Sequence, residues 1–138
     1  MSHERDRGIP VVGRVAAGAP ILAVENTEER LDTGELFGES GSRGRRRADF
    51  LLRVKGDSMT GAGILDGDLV AVRMQPEIGN GEIGVVVVND EATVKRVYVR
   101  GRKVRLVAEN PAYEAMVFDA GTDEVRIVGV VAGVIRRM

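Results

Sequence analysis

The chain contains no cysteine, no tryptophan and a single histidine, His3. Without cysteine there is no thiol nucleophile, no disulfide and no zinc–thiolate site. His3 lies in the polar stretch Met1-Ser2-His3-Glu4-Arg5-Asp6-Arg7, which reads as a solvated tail. A Ser-His-Asp triad therefore has no credible base. If a serine of this chain is a nucleophile, its base is a lysine or a carboxylate, and the known Ser-Lys variants make lysine the natural choice. Apolar runs are short: none approaches the ~18 residues of a transmembrane helix. The N-terminus lacks the apolar segment of a signal peptide. No membrane contact is expected, and a cytoplasmic location is the simplest expectation. A net charge of −1 gives no global attraction to nucleic acid. Aromatics are also scarce, with three Phe and two Tyr, so the core must be built from Val, Leu and Ile.

What is present is a series of short apolar segments separated by turn residues. Strands are expected over residues 9–15, 49–54, 69–73, 85–88, 93–99, 104–107 and 125–135. Turns are expected at Asp66-Gly67-Asp68, at residues 77–81, at Asn89-Asp90-Glu91 and at Arg100-Gly101. No window carries a long 3.6-residue apolar period. The expected fold class is mostly β, in one domain over residues 9–138 preceded by a tail over residues 1–8. Alternation along residues 93–99 places Lys95 with Thr93, Val97 and Val99, on the face more suited to burial.

Three sites stand out. Ser58 lies in Arg53-Val54-Lys55-Gly56-Asp57-Ser58-Met59, a strand running into a tight turn. Lys95 projects from the middle of a strand. Ala17-Gly18 lies in a small-residue loop, about residues 15–20, broken by Gly18 and Pro20. Together they suggest a protease that cuts itself. Burial among valines disfavours the charged form of a lysine, which lets it take the proton of a serine hydroxyl. The backbone N–H groups of Asp57 and Ser58 are candidates for an oxyanion hole. Each residue also has a plainer reading: Ser58 as a turn serine, Lys95 as an edge-strand lysine that blocks aggregation, Ala17-Gly18 as a flexible loop. Arg43-Gly44-Arg45-Arg46-Arg47 reads as a solvated basic loop rather than a phosphate contact. Asp57, Asp66 and Asp68 do not have the spacing of a calcium loop, and neither a metal nor a cofactor is expected.

Four motifs in order carry a family resemblance. These are Val12-Gly13-Arg14-Val15-Ala16-Ala17-Gly18, Gly56-Asp57-Ser58-Met59 with Gly63-Ile64-Leu65-Asp66-Gly67-Asp68-Leu69, Ala92-Thr93-Val94-Lys95-Arg96, and Glu109-Asn110-Pro111. They resemble the C-terminal peptidase domain of the LexA/UmuD family over about residues 9–138. The resemblance implies a LexA/signal-peptidase-like β domain with Ser58 as nucleophile, Lys95 as base and Ala17–Gly18 as the scissile bond. It also implies a homodimer formed through the C-terminal strand, around residues 128–135. It further implies intramolecular cleavage promoted by RecA filaments on single-stranded DNA. Operator DNA would be bound only through a helix-turn-helix domain, which is expected to be absent from these residues. A UmuD-like subunit of a translesion polymerase and a non-catalytic β dimerisation module are the alternatives. UmuD proteins typically cut at Cys-Gly, whereas this chain has Ala17-Gly18.

Overall fold

Residues 8–13, 21–23, 26–31 and 48–137 are described by a computed structural model. They form nine strands: β1 (Ile9–Val12), β2 (Thr27–Leu31), β3 (Phe50–Arg53), β4 (Leu69–Met74), β5 (Ile83–Val88), β6 (Glu91–Arg100), β7 (Lys103–Val107), β8 (Met116–Asp119) and β9 (Val125–Ile135). A short 3-10 turn spans Thr60–Ala62. The strands join one sheet in the order β2-β1-β3-β4-β9-β5-β6-β7-β8. Among the described strands only the β1–β3 pair is parallel. The mostly β expectation holds.

The valine-rich segments explain why strands form here. Branched side chains suit a pleated surface, and successive residues supply opposite faces. In β4, Val70 and Val72 enter a large core cluster with Phe50, Leu52, Met59, Val85 and Val94. Leu69 and Ala71, one residue out of step, enter a second cluster with Ile9, Val11 and Leu51 on the other face. Val86 and Val97 belong to a third cluster with Val104 and Leu106. Burial on both faces is the reason the runs look continuously apolar rather than alternating.

Turn chemistry closes the hairpins. Asn89 and Asp90 both have positive φ, 51° and 68°, and join β5 to β6 in a two-residue loop, so Glu91 already belongs to the strand. The Asp-Gly-Asp turn does more than reverse the chain. Asp66 accepts a hydrogen bond from the Gly56 N–H at 2.7 Å. Asp68, 3% exposed, accepts one from the Leu65 N–H and a bidentate pair from Arg136, immediately after β9. The Arg136 hydrogen bond holds the Asp68 carboxyl below its usual pKa range.

β9 is the spine. It pairs with β5 from Val125 to Val130 and with β4 from Gly129 to Ile135. The two pairings overlap where Gly129 packs against β4: a Cβ there would lie 2.1 Å from the Arg73 carbonyl oxygen. Gly129 thus allows a close backbone approach between β9 and β4. Replacing Gly129 with Ala should lower the unfolding free energy by at least about 1–3 kcal/mol in urea titrations, through overpacking against immovable backbone. A change near zero would mean that β4 and β9 have room to separate.

Candidate active site

Ser58 is held between two core anchors. Val54, at the end of the β3 run, and Met59 are both buried in the large cluster. Gly56, with φ of +87°, lets the chain reverse between them. The turn leaves Ser58 half-buried at the cleft, between the two anchors. Lys95 reaches it from β6. The Lys95 Nζ lies 3.1 Å from Ser58 Oγ and donates to Thr93 Oγ1 at 2.8 Å.

Lys95 is 9% exposed. Its strand is interior, between β5 and β7, so the edge-strand reading of this lysine fails. The backbone of Lys95 pairs with Gly84 of β5, and pairing with β7 begins one residue later, at Arg96. Burial lowers the pKa of the ammonium, since the charged form loses hydration; the Glu91 carboxylate opposes this in part. The result is an amine biased towards its neutral form, aimed at a hydroxyl.

The pair opens into a cleft of about 520 Å³. Its walls include Gly13 at the end of β1, Leu52 of β3, the tip of the β5–β6 hairpin, and Met116 of β8. Ala17 and Gly18 lie outside the described residues, as does the Arg43–Arg47 run. The flanks of the Ala17-Gly18 segment are described: Gly13 lines the cleft, and Ile21 is buried in the large core cluster. Asp57 and Ser58 contribute a turn whose carbonyls are both engaged, Asp57 O with the Asn110 Nδ2 donor and Ser58 O with the Glu109 N–H.

Asp57, Asp66 and Asp68 do not converge on one point. Tyr113, Gly56 and Arg136 take them up separately. Among the described residues no group of three potential metal ligands occurs, and no helix is long and apolar enough to cross a membrane.

Sequence reasoning missed Thr93 as a partner of Lys95, and Asn110 and Tyr113 as partners of Asp57. Thr93 had a visible cue, a hydroxyl two residues before Lys95 on the same face of the strand. Tyr113 had none, because its partner Asp57 is 56 residues away in the chain.

A turn serine and a desolvated lysine meeting on a β-sheet domain define a Ser-Lys peptidase architecture. The sequence matches the Peptidase S24-like family over residues 10–132, and the chain belongs to that family. It is similar to curated LexA repressors. The one from Pseudomonas aeruginosa is 48% identical over 132 residues, covering 96% of this chain and 62% of the relative. That of Cupriavidus metallidurans is 46% identical over 129 residues, covering 93% and 56%. That of Providencia rettgeri is 46% identical over 132 residues, covering 95% and 61%. The chain thus spans about three-fifths of the length of these relatives.

Removal of the Glu91 charge should lower the Lys95 pKa further, because Glu91 is what opposes desolvation. Titration of the Lys95 side chain by carbon-13 NMR should give a wild-type value below the ordinary ~10.4. In Glu91→Gln the midpoint should move lower still. A value at or above the ordinary one in the wild type would contradict the desolvation argument.

Proposed function

We propose that this chain is the self-cleaving peptidase part of a LexA-type SOS repressor, which cuts its own Ala17–Gly18 bond after DNA damage. The observation that carries this reading is the 3.1 Å approach of the buried Lys95 amine to Ser58. A non-catalytic dimerisation module has no use for a cation held off water beside a hydroxyl.

In the proposed reaction, neutral Lys95 takes the Ser58 hydroxyl proton as Oγ attacks the Ala17 carbonyl carbon. The backbone N–H groups of Asp57 and Ser58 face the developing oxyanion. Lys95 then gives the proton to the departing Gly18 nitrogen, and water releases the acyl group from Ser58. Thr93 Oγ1, accepting from Nζ, keeps the amine pointed at Ser58. Cleavage within one chain is supported by the flanks of the segment. Residues 14–20 run between a cleft wall and a core anchor, and seven residues span at most about 25 Å. The substrate is thus tethered at both ends beside the nucleophile, which raises its effective concentration.

The regulatory part of the proposal follows the similarity to LexA repressors. A RecA filament on single-stranded DNA favours the docked state of the loop over the undocked one. Operator DNA is bound through a helix-turn-helix domain, for which no described element qualifies. The setting is the cytoplasm. The homodimer forms through the end of β9. Beyond Val130 that strand pairs with β4 alone among the described strands, and Val134 is 44% exposed.

Mass spectrometry after incubation at pH 7 to 10 tests the activity. Two products cut between Ala17 and Gly18 are expected, with a rate that rises with pH as Lys95 deprotonates. Ser58→Ala and Lys95→Ala each abolish the cut. RecA filaments with ATP accelerate it near pH 7, and Gly18→Asp blocks the response. A cut elsewhere, or a rate falling with pH, would remove the Ser-Lys assignment.

For the dimer, sedimentation should give twice the chain mass. Val134→Arg should weaken association at least about tenfold, by placing a desolvated charge at the contact. Wild-type protein that is monomeric at high micromolar concentration would refute the β9 interface.

A further inference from the structure

The segment joining β7 to β8 has no part in the chemistry described so far, yet it is fastened to the nucleophile turn by four hydrogen bonds. The Glu109 N–H donates to Ser58 O at 2.9 Å, and the Gly61 N–H donates to Glu109 O at 2.7 Å. Asn110 Nδ2 donates to Asp57 O at 2.8 Å. The Tyr113 hydroxyl donates to Asp57 Oδ1. The contact is tight: a Cβ on Gly61 would lie 2.6 Å from the Glu109 carbonyl oxygen.

The segment is itself pre-shaped. Asn110 Oδ1 accepts from the Ala112 N–H at 2.9 Å, and the Tyr113 N–H closes on Asn110 O at 3.1 Å. With Pro111 between them, these bonds make a stiff turn. Its other end is tied to the strand that carries the base. Arg96, next to Lys95, donates through Nε to Glu109 Oε2 at 2.8 Å and through Nη1 to Gly81 O at 2.6 Å. Nucleophile and base are therefore braced against each other through Glu109.

The direction of these bonds matters. No peptide among the described residues is cis. In a trans peptide the N–H points opposite the C=O of the same unit. The carbonyls of Asp57 and Ser58 face residues 109–113, so the N–H groups of Ser58 and Met59 face the other way. Ser58 and Met59 line the cleft, and no residue of 109–113 does.

We propose that residues 109–113 are a strap that positions the nucleophile, with Asn110 and Tyr113 holding the Asp57–Ser58 peptide so that its N–H faces the cleft. Resting on the self-cleavage reading above, this makes Asn110 and Tyr113 positioning residues for the reaction. They act through Asp57 and do not touch the substrate. Tyr113 suits the task under alkaline conditions, since its hydrogen bond to Asp57 raises the phenol pKa above the ordinary value.

The test uses Tyr113→Phe, Asn110→Ala, Asp57→Ala and the Tyr113→Phe/Asp57→Ala double variant of the full chain. Self-cleavage is followed from pH 7 to 10, with thermal unfolding alongside. Reaction of Ser58 with a fluorophosphonate reports on the nucleophile without loop docking. There Oγ bonds to phosphorus, fluoride leaves, and the hydroxyl proton passes to Lys95. The high-pH plateau is expected to fall about 3–10-fold in Tyr113→Phe, the loss of one hydrogen bond. In Asn110→Ala it should fall about 10–100-fold, as misplacement of the reacting groups would produce. The double variant should be no slower than Asp57→Ala alone. Labelling rates should fall in parallel, with the pH midpoint and the unfolding temperature unchanged. Tyr113, 46% exposed, is unlike a core residue, so its Phe variant keeps the test open if Asn110→Ala fails to fold. Plateaus and labelling rates within twofold of wild type in Tyr113→Phe overturn the proposal. So does a loss that tracks the unfolding temperature or moves the pH midpoint. If the wild type labels but does not cut itself, the self-cleavage reading fails. The labelling rates of the variants then decide the strap by themselves.

Discussion

A lysine amine removed from water and held 3.1 Å from a serine hydroxyl is the constraint on which this structure turns. An ammonium ion is costly to bury, and the cost falls if the group gives up its proton. The fold imposes that cost by placing Lys95 on an interior strand beside Val94 and Val97, both in core clusters. Thr93 satisfies one of its donors. Glu91 at the start of the same strand limits how far the pKa falls. Desolvation and one nearby carboxylate thus act on the Lys95 pKa in opposite directions, with desolvation the larger.

The rest of the molecule can be understood as keeping that pair in register. Ser58 comes from the β3–β4 connection and Lys95 from β6, on strands separated in the sheet by β4, β9 and β5. β9 links the two halves by pairing with β4 at one end and β5 at the other. Asp68 and Arg136 join the end of β9 to the turn that follows Ser58. Arg96 and Glu109 join the strand of Lys95 to the segment bonded to the Ser58 carbonyl. These contacts cross long sequence distances, which is the usual means by which a reactive geometry is held against local fluctuation.

Much of this was legible in the sequence where one physical rule decided it. The bounds of β9 match the expected segment, because a long apolar run flanked by turn residues has few other fates. Lys95 and Ser58 were singled out from the sequence, and the structure brings their side chains to 3.1 Å. β2 and β8 were not read. Thr27-Glu28-Glu29-Arg30-Leu31 shows no apolar alternation, since it is an outer strand whose charged residues face solvent. β8, the opposite outer strand, has its first two side chains exposed. Asp66 and Asp68 were read as turn formers, and their carboxylates proved to be anchors for Gly56 and Arg136. Glu109-Asn110-Pro111 was visible only as a family motif. Its physical role depends on partners such as Asp57, 53 residues from Asn110, and no local pattern encodes them.

The central claim is that the neutral form of Lys95 is the base for Ser58. The most direct measurement compares two titrations under identical conditions. One is the self-cleavage rate of the wild-type chain from pH 7 to 10, and the other is the NMR titration of Lys95 in the uncleavable Ser58→Ala protein. The account predicts a single shared midpoint, below the ordinary lysine value of about 10.4. A cleavage rate that is flat across this range, or that rises with a midpoint clearly separate from that of Lys95, would contradict it.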